Sequence, residues 1–337
     1  MPIRWGIVGC GDVCEVKSGP GFQKAADSEL VAVMRRDADQ AKDYAERHGV
    51  QKWYADADQL IADQEVDAVY VASPPGSHLE LARKVAASGK PCLLEKPMAR
   101  NMPECHEIMS AFKATNTSLF VAYYRRCLPR FVKVRKLLSD IGQLRTVHYE
   151  FRQLPWSEVD PTNLPWRVIP EQSGGGLFVD LGCHVLDLID HLVGPLRLKN
   201  AEAANTGLQY DAEDHVAFEC ATVSAEIPVT GRFNFQADEK TDLLTLKGEL
   251  GTVTVPCFDN GPIIVERLEK ESQCLDMPHP EHVHQPLIQT VVDELLGRAD
   301  CPSNAASAVR ASELIDGILS DYYNGRDRPY WEIPTEA

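Results

Sequence analysis

From residue 3 to about residue 122, short apolar runs alternate with longer segments in which apolar residues recur every three or four positions. IRWGIVG, ELVAVM, DAVYVAS, PCLLE and SLFVAYY read as strands, with DADQAKDYAERHG, HLELARKVAASG and MPECHEIMSAFKAT as helices between them. Strands separated by helices predict a parallel sheet with crossover helices, the doubly wound arrangement of a Rossmann domain. Gly49 and Gly89 stand where two of these helices should stop, because glycine accepts the left-handed conformation there.

After Tyr124 the rhythm changes. One helical segment, FVKVRKLLSD, leads into a strand-like TVHYEFRQL and a loop rich in Pro and Trp. HVAFECATV, IPVTGRFNFQ, LLTLKG and GTVTVP then alternate or run apolar over strand lengths, which predicts a large, mainly antiparallel open sheet. Two helices, LFVDLGCHVLDLIDHLVG and AASAVRASELIDGILSDYYNG, should pack on it. The expected class is therefore α/β, with a Rossmann domain over residues 1–124 and an α+β domain over residues 125–337.

Composition narrows the field. The 337 residues exceed what one core usually serves, and 44% hydrophobic with 25% charged residues is an ordinary globular balance. A formal charge of -16 with no basic cluster argues against nucleic acid. No apolar run reaches the ~20 residues of a membrane helix, and the N-terminal MPIRWGIVGCGDV enters a strand at once, so a cytoplasmic protein is expected. The ten cysteines are scattered, several within apolar runs, and form no CxxC pair. Reduced, buried thiols fit better than a disulfide framework or a zinc site. HPEHVHQP, with His279, His282 and His284, reads as a loop of solvated histidines, and no metal is expected there.

The first strand runs into Gly9-Cys10-Gly11-Asp12-Val13-Cys14, a glycine-rich turn at a helix start. Gly9 permits the tight turn and Gly11 lets a pyrophosphate approach the backbone, while Cys14 takes the slot where a third glycine is usual. At the end of the second strand, VAVMRRD puts Arg35 where an NAD-binding protein carries an acid, followed by Arg36. Two guanidinium groups suit a 2'-phosphate, so NADP is favoured over NAD. The other reading is a solvated arginine pair, with Asp37 reaching the ribose.

VYVASPPGSHLELARKVAASGKPCLLEKP, closing on Glu95-Lys96-Pro97, and GGGLFVDLGCHVLDL, carrying Asp180 and His184, together with Arg126 and Pro129 between them, resemble the glucose-fructose oxidoreductase, inositol dehydrogenase and MocA-like family. The resemblance implies an NAD(P)-dependent dehydrogenase or reductase acting on CHOH groups, with Ser73, Pro74, Pro75 and His78 in a turn beside the dinucleotide and Glu95 and Lys96 at its edge. It implies a cis Lys96–Pro97 bond, a Trp166-Arg167 pair near nicotinamide and substrate, and a homodimer or homotetramer formed through the C-terminal sheet.

Chemistry leads to the same residues. Oxidising a secondary alcohol needs a group that takes the proton and one that holds the oxygen. Lys96 follows the carboxyl end of a strand, where open α/β sheets bind ligands. Asp180 and His184 are four apart and share a helix face, which suits a proton-shuttling histidine oriented by a carboxylate. The roles of Lys96 and His184 can also be exchanged, and a helix cap with a core histidine is the plainer alternative. Tyr123 and Arg126 are candidates to line the pocket, with core packing equally open for Tyr123. A sugar, cyclitol or dihydrodiol is the expected substrate. A dinucleotide-sensing regulator and an NAD-retaining glycoside hydrolase are the rival functions.

Overall fold

The computed structural model describes residues 1–332, in two compact units. The first comprises Met1–Leu128 and Pro280–Val309, the second Pro129–His279 and the chain from Arg310 on. This differs from a single cut after residue 124: residues 280–309, expected with the second domain, belong to the first unit.

In the first unit, β1 (Ile3–Val8), β2 (Ser28–Met34), β3 (Lys52–Tyr54), β4 (Ala68–Val71), β5 (Cys92–Leu94) and β6 (Leu119–Val121) form a sheet in the order β3-β2-β1-β4-β5-β6. Every pair is parallel. The crossovers are α1 (Asp12–Val16) and α2 (Gly19–Lys24), α3 (Ala38–His48), α4 (Ala57–Ala62), α5 (His78–Ala87) and α6 (Met102–Thr115). Both faces are covered, so β4 and β5 are buried throughout and read as continuous apolar runs. Asp37, Asp56 and Asn101 cap α3, α4 and α6 by accepting first-turn amides.

In the second unit, α7 (Pro129–Leu137) precedes β7 (Leu144–Arg152), followed by α8 (Pro170–Ser173) and α9 (Leu177–Val193). β8 (Leu196–Ala204), β9 (His215–Thr222), β10 (Pro228–Asn234), β11 (Thr241–Gly248), β12 (Gly251–Val255), β13 (Ile263–Arg267) and β14 (Lys270–Leu275) complete a sheet ordered β14-β13-β12-β11-β7-β10-β9-β8. Only β7 and β10 pair in parallel, so the sheet is mainly antiparallel. Two later helices are α10 (Gln285–Leu295), in the first unit, and α11 (Ala305–Leu319), which starts in the first unit's chain segment and ends in the second's.

One face of this sheet carries an aromatic layer. Phe233 lies 5.3 Å from Tyr149 and 5.7 Å from Phe151 between ring centroids, and Phe178 of α9 meets Phe233 edge-on at 5.0 Å. That packing fixes α9 on β10 and its neighbours. The opposite face is polar: His148, Glu150 and Arg152 of β7 alternate with the buried Val147, Tyr149 and Phe151, and Thr230, Arg232 and Asn234 continue it on β10.

All ten cysteines are free, eight of them buried, with Cys127 half-buried and Cys274 exposed. No helix among the described residues is long and apolar enough to cross a membrane.

The turn from α1 into α2 is the tightest junction near the glycine loop. A Cβ on Gly19 would overlap the Tyr44 hydroxyl and the Cys14 carbonyl, which are joined by a 2.9 Å hydrogen bond. Gly19→Ala should therefore lose about 1–3 kcal/mol through overpacking, read as a lower midpoint in thermal unfolding. An unchanged melt would show that this junction gives way freely.

Candidate functional site

The glycine turn of the first unit is built from backbone. Gly9 has φ +92, and the amides of Gly9 and Cys10 donate to the Met34 carbonyl at 2.9 and 3.1 Å. A Cβ on Gly9 would press on the backbone of Ala72 and Ser73 at 3.2 Å, so the β1 turn and the β4 turn lie side by side. Gly11, by contrast, faces open space: nothing lies within 4 Å of where its Cβ would be. This is the opening a dinucleotide's pyrophosphate requires, next to the exposed Asp12 and half-buried Val13. Cys14 is fully buried, so the third slot tolerates a small thiol, and burial drives its pKa upward.

At the end of β2, Arg35 is half-buried and Arg36 exposed, and among the described residues neither guanidinium makes a hydrogen bond or ion pair. Arg35 is close enough to the glycine turn for its charge to oppose the burial that pushes the Cys10 thiol up to about 11. Asp37 is already engaged, its Oδ1 accepting the Asp39 and Gln40 amides at 3.1 Å.

Lys96 is half-buried and follows β5, and the Lys96–Pro97 peptide is cis, as the resemblance implied. Its neighbours are buried. Glu95, expected at the cofactor, is a buried carboxylate that accepts from Tyr70 Oη at 2.5 Å, His284 Nε2 at 2.9 Å and the Lys96 amide at 3.1 Å. Burial alone would raise its pKa, but the His284 hydrogen bond and charge, the Lys96 charge and Tyr70 outweigh it and hold it down to about 2. His78, also expected at the cofactor, is fully buried: Nε2 faces the Ser73 carbonyl at 2.8 Å and Nδ1 the Pro97 carbonyl at 3.1 Å. It clamps the β4 turn to the segment after Lys96. In that turn Ser73 Oγ accepts from Ser77 Oγ at 2.7 Å, and Pro74 is exposed.

Two expected pocket residues are core residues of the first unit. Tyr123 is fully buried, with the Arg126 guanidinium 5.8 Å from its ring centroid. Arg126 is buried too and donates to the Pro302 carbonyl and to Ser307 Oγ, tying the end of β6 to the returning segment 280–309. Two histidines of HPEHVHQP are likewise not solvated: His282 and His284 are buried, His279 is half-buried, and His282 Nδ1 lies 2.6 Å from the Val16 carbonyl.

In the second unit, a glycine run sets the start of α9. Gly174 and Gly175 have φ +85 and +155, and the Gly176 amide donates to Glu213 Oε1 at 2.8 Å. Glu213 is fully buried, also accepts from Tyr323 Oη at 2.7 Å, and burial raises its pKa against these donors. One turn along, Asp180 Oδ2 accepts from Arg167 Nε at 3.1 Å, and the Arg167 guanidinium stacks over Trp166 at 4.5 Å. Trp166 and Arg167, expected as a pair, thus form one cluster with Asp180, which the sequence offered as the partner of His184. His184, one turn further, is 4% exposed, with Phe258 edge-on at 6.4 Å.

The sequence reading missed the buried partners Glu213, Tyr70 and His284. For His284 the available signal was Pro286, which marks a helix start where a loop was read.

Known proteins agree with this architecture. An oxidoreductase family model described as an NAD-binding Rossmann fold matches residues 3–123, and that of the GFO/IDH/MocA C-terminal domain matches residues 131–254. Oxidoreductase P35 of Formosa agariphila is 37% identical over 319 residues, 93% of this chain and 97% of that protein. The trans-1,2-dihydrobenzene-1,2-diol dehydrogenase of Xenopus laevis is 26% identical over 294 residues, 83% of this chain and 82% of that one. The 3-ketoreductase KijD10 of Actinomadura kijaniata, solved with NADP and TDP-benzene, has the same fold, with a TM-score of 0.81 at 21% identity over 95% of this chain and 98% of its own.

The Glu95 carboxylate makes stability depend on acid. A carboxyl held at about 2 against an ordinary 4.5 contributes fully above pH 4.5 and loses that contribution as the pH falls toward 2. Glu95→Gln should be less stable than wild type at pH 7, with the gap narrowing by roughly 2 kcal/mol at pH 3 in urea unfolding. An equal gap at both pH values would show that the carboxylate is not held in this way.

Proposed function

The chain belongs to the Gfo/Idh/MocA family of oxidoreductases and is an NAD(P)-dependent dehydrogenase; on that premise we propose that it prefers NADP and acts reversibly on a CHOH group of a sugar, cyclitol or dihydrodiol. The observation that carries the cofactor preference is the end of β2, where Asp37 is engaged in capping α3 and two unpaired guanidinium groups are left for a 2'-phosphate. Gly9, Gly11, Asp12 and Val13 would lie along the pyrophosphate, with Ser73 and Pro74 beside it. Glu95 and His78 serve from behind, by holding the backbone on either side of Lys96.

The nicotinamide, when bound, supplies or accepts the hydride. The remaining work falls to side chains: Lys96 Nζ donates to the substrate oxygen and stabilises its developing charge, and the His184 imidazole takes or returns the hydroxyl proton. Arg167, braced on Trp166 and paired with Asp180, orients hydroxyl groups of the substrate near the start of α9. The dihydrodiol dehydrogenase among the relatives supports a vicinal diol as substrate.

Titration of the protein with NADPH and NADH, followed by nicotinamide fluorescence, should show NADPH binding at least about tenfold tighter, with Arg35→Ala abolishing most of the difference. Equal affinities would overturn the preference. In assays of polyols and trans-dihydrodiols with NADP, Lys96→Met should cut turnover by about 100-fold or more while NADPH affinity stays nearly intact. Unchanged turnover would remove Lys96 from the chemistry, and product formed without net change in the cofactor would point to hydrolysis instead.

A further inference from the structure

The proposed reaction leaves His284, in the buried cluster around Glu95, without a task. Glu95, at 7% exposure, sits between β5 and Lys96 and gathers donors from three sources: Tyr70 on β4, the adjacent Lys96 amide, and His284, which lies 189 residues later in sequence. His284 is itself 1% exposed and cannot swing freely. Its ring lies on Tyr124 with centroids 4.3 Å apart, its amide donates to the Lys17 carbonyl at 3.2 Å, and its carbonyl accepts from Ile288 at 2.9 Å.

A carboxylate out of water stays ionised only if its oxygens are met by donors or an opposite charge. Tyr70 and the Lys96 amide are donors from the sheet and its immediate continuation, whereas His284 Nε2 meets Glu95 Oε1 at 2.9 Å from outside the strand. The charges of Glu95 and Lys96 attract each other, so whatever keeps Glu95 ionised and still also keeps Lys96 in place. Cys14 on α1 and His78 on α5 also feel the Glu95 charge, and Arg125 lies over the Tyr124 ring at 4.9 Å. His78 meanwhile fixes the Pro97 carbonyl, so the backbone around Lys96 is held from both sides.

We infer that His284 is a positioning residue for Lys96: it holds the buried Glu95 carboxylate, whose Oε2 pins the Lys96 amide and whose charge restrains the Lys96 ammonium. The functional value of that restraint rests on the role of Lys96 proposed above.

The test needs no substrate. The full-length protein is labelled with limiting acetic anhydride, and acetylation of Lys96 is measured by mass spectrometry against the exposed Lys113. His284→Phe keeps a ring against Tyr124 but has no donor, and it should raise the relative rate at Lys96 about three- to tenfold, because an unrestrained amine is more often free to react. His284→Gln, which retains an N–H, should return most of the way to wild type. Glu95→Gln should match His284→Phe, and the double variant should change nothing further, as expected of residues acting through one interaction. A rate in His284→Phe within twofold of wild type, or single effects that multiply in the double variant, would overturn the inference. If His284→Phe does not fold, His284→Asn, too short to reach Glu95, takes its place with the same two outcomes. Turnover of Lys96→Met decides the catalytic role and acetylation decides the positioning, so either can fail alone.

Discussion

A carboxylate buried in protein has to be met by hydrogen-bond donors, and the segments proposed to carry the chemistry are each built against one. In the first unit Glu95 lies directly before Lys96, and its oxygens are taken by Tyr70, His284 and the Lys96 amide. In the second, Glu213 lies behind the glycine run, and its oxygens are taken by the Gly176 amide and Tyr323. Neither acid faces solvent. Each converts a turn of backbone that would otherwise be loosely held into a fixed starting point, from which Lys96 or the first turn of α9 is aimed. The two differ in charge: donors hold Glu95 well into the ionised range, whereas burial pushes Glu213 toward its neutral form.

Much of the fold is legible in residue order because it depends on period. The β1, β2, β4, β5 and β6 runs and the α3, α5 and α6 faces were each long enough or apolar enough to be read, and so were β7, β9, β10, β11 and β12. Lys52–Tyr54 was missed because three residues set no period, β8 because exposed polar positions interrupt its apolar ones, β13 because only three apolar residues run together, and β14 because it is polar and exposed almost throughout. The proposed chemistry rests on residue types and spacing, and so Lys96, Asp180 and His184 could be singled out. Burial could not be read in the same way. Arg126, His78, His282 and His284 are polar side chains whose partners lie far away in sequence, and only the folded chain shows that carbonyls and a carboxylate await them.

The same distinction separates the residues at the cofactor end. Arg35, Arg36 and Asp37 look interchangeable as candidates along the sequence, since all three stand within reach of a ribose. Helix α3 sets Asp37 apart from the two arginines, because its first amides need an acceptor and Asp37 is the residue placed to provide it. In the second unit, likewise, the strand alternation that turns Tyr149, Phe151 and Phe233 inward leaves His148, Glu150, Arg152 and Arg232 outward.

The path of the chain between its two units has an evolutionary side. It passes from one to the other after Leu128, after His279 and after Val309, so the dinucleotide-binding unit is not contiguous. A gene fusion that spliced residues 1–128 onto a different catalytic domain would carry the whole parallel sheet but leave behind His284, α10 and the Pro302 and Ser307 partners of Arg126. A cut at residue 128 therefore separates the parallel sheet from side chains and backbone that belong to the same unit.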